Sequence, residues 1–171
     1  MLDLLYSRRS IRKYTSQSIE PEKIEKLIEA ALLSPTSRNR EAWEFVVVTN
    51  KGALSKLGVS KPGSASMISK APLAIVVCGN PMDSDVWVED CSIAAIIIQL
   101  TAHDMGLGSC WIQLRGRKYD ENVTSSDYVK TTLNLPDHLE IECIISIGYP
   151  DEIKNKRDKS KLSYNKVFRK D

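Results

Sequence analysis

Six consecutive residues near the N-terminus, Arg8-Arg9-Ser10-Ile11-Arg12-Lys13, hold four cations and a hydroxyl, just after the apolar residues Leu2, Leu4, Leu5 and Tyr6. A guanidinium presents a planar fork of donors that matches two phosphate oxygens, and a serine hydroxyl can complete the shell. Three guanidiniums this close repel one another unless an anion sits between them. The competing reading is a solvated basic end to a helix. Other chemistry is sparse. His103 and His138 stand far apart with no carboxylate or thiol at ligand spacing, and both read as structural or exposed. The four cysteines, Cys78, Cys91, Cys110 and Cys143, show no CxxC spacing and lie in apolar runs. They read as buried free thiols in a reducing compartment rather than as metal ligands.

At 171 residues the chain has the size of one domain, residues 1–171, with enough length for a sizeable core. A formal net charge of +2, with the cations gathered at the two ends, argues against nucleic acid as a partner. The start at Met1 carries no charged-then-apolar leader, and no window holds eighteen consecutive apolar residues. A cytoplasmic protein without a membrane span is the expectation.

Several elements must position the basic cluster. Pro21 suits a first helical position, and Ile24, Leu27, Ile28 and Ala31 follow at helical spacing until Ser34-Pro35 ends the helix. A polar loop from Pro35 to Ala42 leads to Trp43 and a short β-branched strand, Phe45–Thr49. Leu73–Cys78 reads as a second strand. Asp85–Met105 is the longest helical stretch, apolar on nearly every face from Cys91 to Ala102 except at Ser92, Gln99 and Thr101. One small sheet cannot cover such a helix, which implies a partner subunit. Ser109–Leu114 and Ile141–Ile147 read as third and fourth strands. The spacer lengths vary widely, so an α+β fold is expected, with a mainly antiparallel or mixed sheet surrounded by helices. The basic C-terminal twenty residues have only Leu162, Tyr164, Val167 and Phe168 to pin them.

Gly106-Leu107-Gly108 does not make a dinucleotide fingerprint. The third glycine position is Trp111, and the motif leaves a helix for a strand, whereas a pyrophosphate needs the positive end of a helix after a strand. A phosphate cluster without a nucleotide fold or an acid–base dyad suits chemistry that belongs to a bound cofactor. The ordered set Arg8-Arg9-Ser10-Ile11-Arg12, Ser34-Pro35-Thr36-Ser37-Arg38-Asn39, Trp43-Glu44-Phe45, the glycine turn into Ser109-Cys110-Trp111-Ile112, and Ile147-Gly148-Tyr149-Pro150 followed by Lys156-Arg157 resembles the nitroreductase family over essentially the whole chain.

That resemblance implies an α+β fold and a homodimer with two FMN molecules at the subunit interface. It also implies two-electron transfer from NADH or NADPH to nitroaromatics, quinones or similar small-molecule acceptors, by a ping-pong mechanism. By resemblance, Arg8, Arg9, Ser10 and Arg12 grip the flavin phosphate and ribityl chain, and Arg157 with Lys156 closes on the same phosphate. Pro35, Thr36, Ser37 and Asn39 border the isoalloxazine from the second subunit. Gln113 and Leu114 offer backbone N–H groups to the flavin N5 and O4, where a donor stabilises developing negative charge. No catalytic side chain and no metal are implied. Glu41-Ala42 replaces the family's usual Gln-Pro, and Leu114 stands where glycine is common. A helical excursion of the kind that roofs the site in relatives would have to come from Lys118–Leu135. A reading from another class is a flavin carrier or redox sensor without turnover. Trp43, Trp111, Tyr14 and Cys110 read as packing groups, and Arg38 and Arg40 as exposed.

Overall fold

The computed structural model describes residues 1–170. Four strands form one sheet: β1 (Trp43–Val48), β2 (Leu73–Gly79), β3 (Gly108–Gln113) and β4 (Glu140–Gly148). Their spatial order is β1-β2-β4-β3, and every neighbouring pair is antiparallel. The centre is made of β-branched residues in register, Val76 opposite Val46 on one side and Ile144 on the other, with Ile112 beyond. All seven residues of β2 are buried, because both sheet faces are covered.

On one face lie α2 (Pro21–Leu32) and α4 (Trp87–Asp104), which pack on each other and on the sheet. Leu27, Ala31, Ala94, Ala95 and Ile98 meet Leu73, Ile75, Val77 and Ile145 there. The other face is covered by α3 (Lys51–Leu57), α5 (Ser125–Leu133) and a 3-10 turn at Ser66–Lys70, which bury Leu54, Leu57, Ile68 and Val129 against Val76 and Ile144. The Lys118–Leu135 stretch therefore does not project as a roof. Thr124 caps α5 by accepting from Asp127 N–H, Asn134 closes it in the left-handed region, and Val129 pins it to the sheet.

The helix expected from Asp85 to Met105 is α4. Cys91, Ala94, Ala95, Ile98 and Ala102 face the core, while Ile93 and Ile96 remain exposed. The short α1 (Leu2–Ser7) contacts α4 and leaves Leu2 and Leu5 in solvent. Leu32 and Leu33 at the end of α2 are exposed as well. The residues expected to pin the C-terminal segment do not bury on their own chain: Tyr164, Val167 and Phe168 are all exposed.

Residues 8–15 run along the outer side of β3 and the end of β4. Ser10 forms a parallel bridge with Ser109, Ile11 N–H donates to Ser109 O at 2.9 Å, and Tyr14 bridges Pro150. Gly108 makes this approach possible, since a Cβ there would lie 2.8 Å from Ile11 Cβ. The Tyr14 hydroxyl donates to Ile11 O at 2.6 Å and meets Ser146 Oγ at 2.8 Å. Burial pushes its pKa further above the ordinary tyrosine value, so it is a neutral structural anchor. The chain leaving β4 returns along the same segment: Thr15 N–H donates to Tyr149 O, Asp151 N–H to Lys13 O, and Arg157 N–H to Tyr6 O at 2.8 Å.

Candidate active site

These two antiparallel runs bring the cations together. Arg8, Arg9, Ser10, Arg12, Lys154 and Arg157 line one cavity of about 270 Å³ beside the start of β3. Among the described residues, no carboxylate lies within 4.0 Å of the Arg8, Arg9, Arg12 or Arg157 guanidiniums. Burial, with Arg157 and Arg9 nearby, lowers the Arg8 pKa from its ordinary value. The four guanidiniums are thus gathered with no ion-pair partner among the described residues. Cys110 does not supply one either, because burial raises its pKa against the pull of Arg12 and Arg8 and keeps the thiol neutral.

The backbone of this cradle is fixed by Glu152. One of its oxygens accepts from Arg12 N–H at 2.6 Å and from Lys13 N–H at 3.2 Å, and the other meets Lys154 Nζ at 2.6 Å. Arg9 donates from Nη1 to the Asn155 carbonyl, which ties the two runs again. Ser7 Oγ lies 2.7 Å from His103 Nε2 at the end of α4, and burial with the nearby Arg8 lowers the His103 pKa. His103 is therefore neutral at pH 7 and joins α1 to α4.

From Ser109 to Gln113, β3 rises about 13 Å, at roughly 3.3 Å per residue. It is an edge strand. Leu114 N–H donates to Glu142 O at 3.2 Å, and Leu114 itself is fully buried in the core. Strand alternation then turns the Gln113 N–H to the free edge, the side on which Ser109 O meets Ile11. Of the two anticipated backbone donors, Gln113 is the one with an open direction. Its side chain is locked in plane: Oε1 accepts from Trp111 Nε1 at 2.9 Å, and Nε2 reaches Glu142 Oε1 at 3.2 Å.

The loop before β1 lies at the same end of the sheet as Gln113 but on the opposite edge, three interstrand spacings or about 14 Å away. It is tightly wound, with Arg38, Asn39 and Glu41 at φ of 52°, 53° and 51°. Thr36 Oγ1 accepts from Glu41 N–H at 3.1 Å, and Ser37 N–H donates to Asp90 Oδ1 at 3.0 Å. Asp90 is buried, and its other oxygen has no hydrogen-bond partner among the described residues. Pro35 and Asn39 are exposed. A single chain brings together Arg8, Arg9, Ser10, Arg12 and Arg157, and leaves Pro35, Thr36, Ser37 and Asn39 across the sheet from Gln113.

The pattern of the Nitroreductase family matches residues 5–60 and 53–149. The chain belongs to the nitroreductase family. An FMN-dependent nitroreductase from Clostridium difficile R20291 is 46% identical, with a TM-score of 0.98, over 100% of this chain and 99% of that one. A structure from Parabacteroides distasonis, named for NADH dehydrogenase/NAD(P)H nitroreductase, is 34% identical with a TM-score of 0.89 and covers 98% and 96% of the two chains. A protein of the same name from Archaeoglobus fulgidus is 35% identical over 158 residues, 90% of this chain and 87% of its own length.

Within this nitroreductase fold, two cradle residues escaped the sequence reading. Lys154 lines the arginine cavity, while Lys156 lines the adjoining cavity of about 430 Å³ with Arg9, Asn155, Arg157 and Asp158. Glu152 escaped because its partners are backbone groups 140 and 139 residues away. The only local signal was a carboxylate two residues before a lysine.

Lys154, first, and the Arg12 N–H hold the Glu152 carboxyl at about 2, below its ordinary 4.5. Its contribution to stability is therefore complete above pH 4.5 and lost as the pH falls through about 2. Glu152→Gln should be less stable than wild type near neutrality, and the gap should close across that window. Urea melts at a series of pH values check this; a gap independent of pH would contradict it.

Proposed function

We propose that this chain is an FMN-dependent NAD(P)H oxidoreductase of the nitroreductase type, reducing nitroaromatics, quinones or similar small acceptors as a homodimer with shared flavin sites. The observation that carries the reading is the arginine cradle without a carboxylate of its own, set at one end of an edge strand whose free N–H points outward about 13 Å further on. The residues present fit FMN: a phosphate at the cradle and a ring near Gln113 are separated by a span suited to a ribityl chain. The relatives named for FMN and for NAD(P)H nitroreductase activity support the same cofactor and reductant.

When bound, FMN supplies two-electron transfer, taking electrons from NAD(P)H in one half-reaction and returning them to the acceptor in the next. The chain's own residues bind and orient. Arg8, Arg9, Ser10, Arg12 and Arg157, with Lys154 and Lys156 near, hold a phosphate dianion through charge-assisted hydrogen bonds. The Gln113 N–H, turned outward by strand alternation, offers a donor where negative charge develops on the ring. Pro35, Thr36, Ser37 and Asn39 complete the site of the opposite subunit. No side chain is assigned as acid or base. The four cysteines are free and buried, which supports a reducing, cytoplasmic setting. No helix among the described residues is long and apolar enough to cross a membrane.

Arg8→Ala or Arg157→Ala should each weaken FMN binding by about 1.5–3 kcal/mol, the range for a hydrogen bond to a charged group, and leave riboflavin nearly unaffected. Fluorescence titration of apoprotein with both ligands decides it, and equal losses would mark the arginines as structural. The FMN-loaded protein should oxidise NAD(P)H with a quinone or nitrofuran and give parallel double-reciprocal lines. A yellow protein without turnover would instead be the carrier or sensor.

Leu2, Leu5, Leu32, Ile93 and Ile96 are exposed on α1, α2 and α4, with Leu33 just beyond α2; α4 packs on both other helices, and a second copy would cover these apolar groups. Ile96→Glu should therefore release monomer and flavin together, because folded-dimer formation and flavin binding are linked. Sedimentation and flavin absorbance on one dilution series test this; a monomer that keeps stoichiometric FMN would rule out the shared site.

A further inference from the structure

We propose that the turn after β3, Arg115-Gly116-Arg117-Lys118, is a recognition site for an anionic group on the molecule that exchanges electrons at the flavin. That group is a carboxylate on the acceptor or the 2′-phosphate of NADPH. The inference rests on the flavin reading above and adds a substrate class to it. The turn begins two residues after Gln113, so its cations sit beside the strand end assigned to the ring.

Its conformation is fixed in advance of any ligand. Gly116 at φ +67° reverses the chain, and Arg117 N–H donates to Leu114 O at 2.9 Å. Ser125 N–H donates to Arg117 O at 2.9 Å, and Lys118 bridges Thr124, which fastens the turn to the start of α5. A cavity of about 370 Å³ opens here, walled by Trp87, Arg115, Arg117, Lys118, Thr124 and Ser126. The Arg115 guanidinium carbon lies 5.9 Å from the Trp87 ring centroid, and its Nε is 3.8 Å from the buried Glu142. These two contacts hold the guanidinium in place, while about half of the side chain stays open to solvent. A guanidinium set against an aromatic ring retains the planar fork that suits a carboxylate or phosphate.

The charge balance leaves the site positive. Glu140 also lines the cavity, but Lys130 Nζ lies 3.3 Å from it. Glu142 pairs with Arg115 and also accepts from Gln113 Nε2. Among the described residues, no carboxylate comes within 4.0 Å of Arg117 or Lys118. Asp120 accepts from Asn122 and Val123 N–H at 2.8 Å each, and neither it nor Glu121 lines the cavity. Lys118 Nζ reaches the Glu121 carbonyl at 3.5 Å, so the two cations on this turn have no carboxylate partner.

The test uses pairs that differ in charge at nearly constant shape. For flavin-loaded wild type and the double variant Arg117→Gln/Lys118→Gln, kcat/KM is measured for 4-nitrobenzoate against 4-nitrobenzamide. The same is done for NADPH against NADH with a neutral quinone. Binding is read separately from tryptophan fluorescence, with 2′,5′-ADP against 5′-AMP and benzoate against benzamide. Wild type should favour the anionic member of one pair by about two- to fivefold, the scale of a partly exposed ion pair. That preference should collapse in the double variant, and the pair that shows it identifies the source of the anion. Smaller preferences in both pairs, or a preference that survives the double variant, would overturn the proposal. Equal turnover of charged and neutral substrates defeats this inference alone, whereas a protein that takes up no flavin defeats the functional reading and this inference with it.

Discussion

Four guanidiniums without a carboxylate among them are the constraint on which the rest of this molecule depends. Arg8, Arg9, Arg12 and Arg157 come from opposite ends of the chain, and nothing in their mutual electrostatics favours bringing them together. Backbone does it instead. Ser10 and Ile11 bond to Ser109 on the edge strand, Gly108 lets Ile11 come close, and Arg157 N–H is tied to Tyr6 O. Glu152 accepts from the Arg12 and Lys13 N–H groups and holds Lys154, which lines the cavity, so this acid is used on structure and not on the guanidiniums. The sheet supplies the rigidity, and on the proposed reading a bound dianion would offset the cost of holding like charges together.

Strand β3 links that charge to the chemistry. One edge strand carries the cradle beside Ser109 and the open donor of Gln113, so the separation between the proposed phosphate and ring positions is set by strand geometry rather than by flexible loops. The network Trp111–Gln113–Glu142–Arg115 continues the same rigid line into the basic turn. The wound loop at Pro35–Asn39, by contrast, is held by Asp90 on the far side of the sheet. A site that needs both the loop and β3 cannot be completed by one chain. The exposed leucines and isoleucines of α1, α2 and α4 lie on the elements that a second copy would cover.

Much of this was legible in the residues. Runs such as Leu73–Cys78 and Ile141–Ile147 are strands because β-branched side chains buried on both faces leave few alternatives. The α4 helix announced an uncovered face through its all-round apolarity. The basic cluster near the N-terminus and the late Arg157 do meet in one cavity. What escaped notice depends on tertiary context. The α3 and α5 helices are short and weakly patterned, and they are held by Leu54, Leu57 and Val129 against the sheet. Lys154 was passed over for Lys156 because the direction of a side chain in an irregular segment is fixed by Glu152, and the Glu152 partners lie far away in sequence. The different roles of Gln113 and Leu114 follow from strand parity, which appears only once the pairing with Glu142 is known.

The most direct test is the ionisation state of the bound phosphate. Free phosphate monoesters take up their second proton near pH ~6. Phosphorus NMR of the FMN-loaded protein, followed from pH 8 downward, should show the phosphate resonance holding its dianion position well below that value, because the arginine cradle favours the doubly charged form. A bound phosphate that titrates as it does in free FMN would contradict the account.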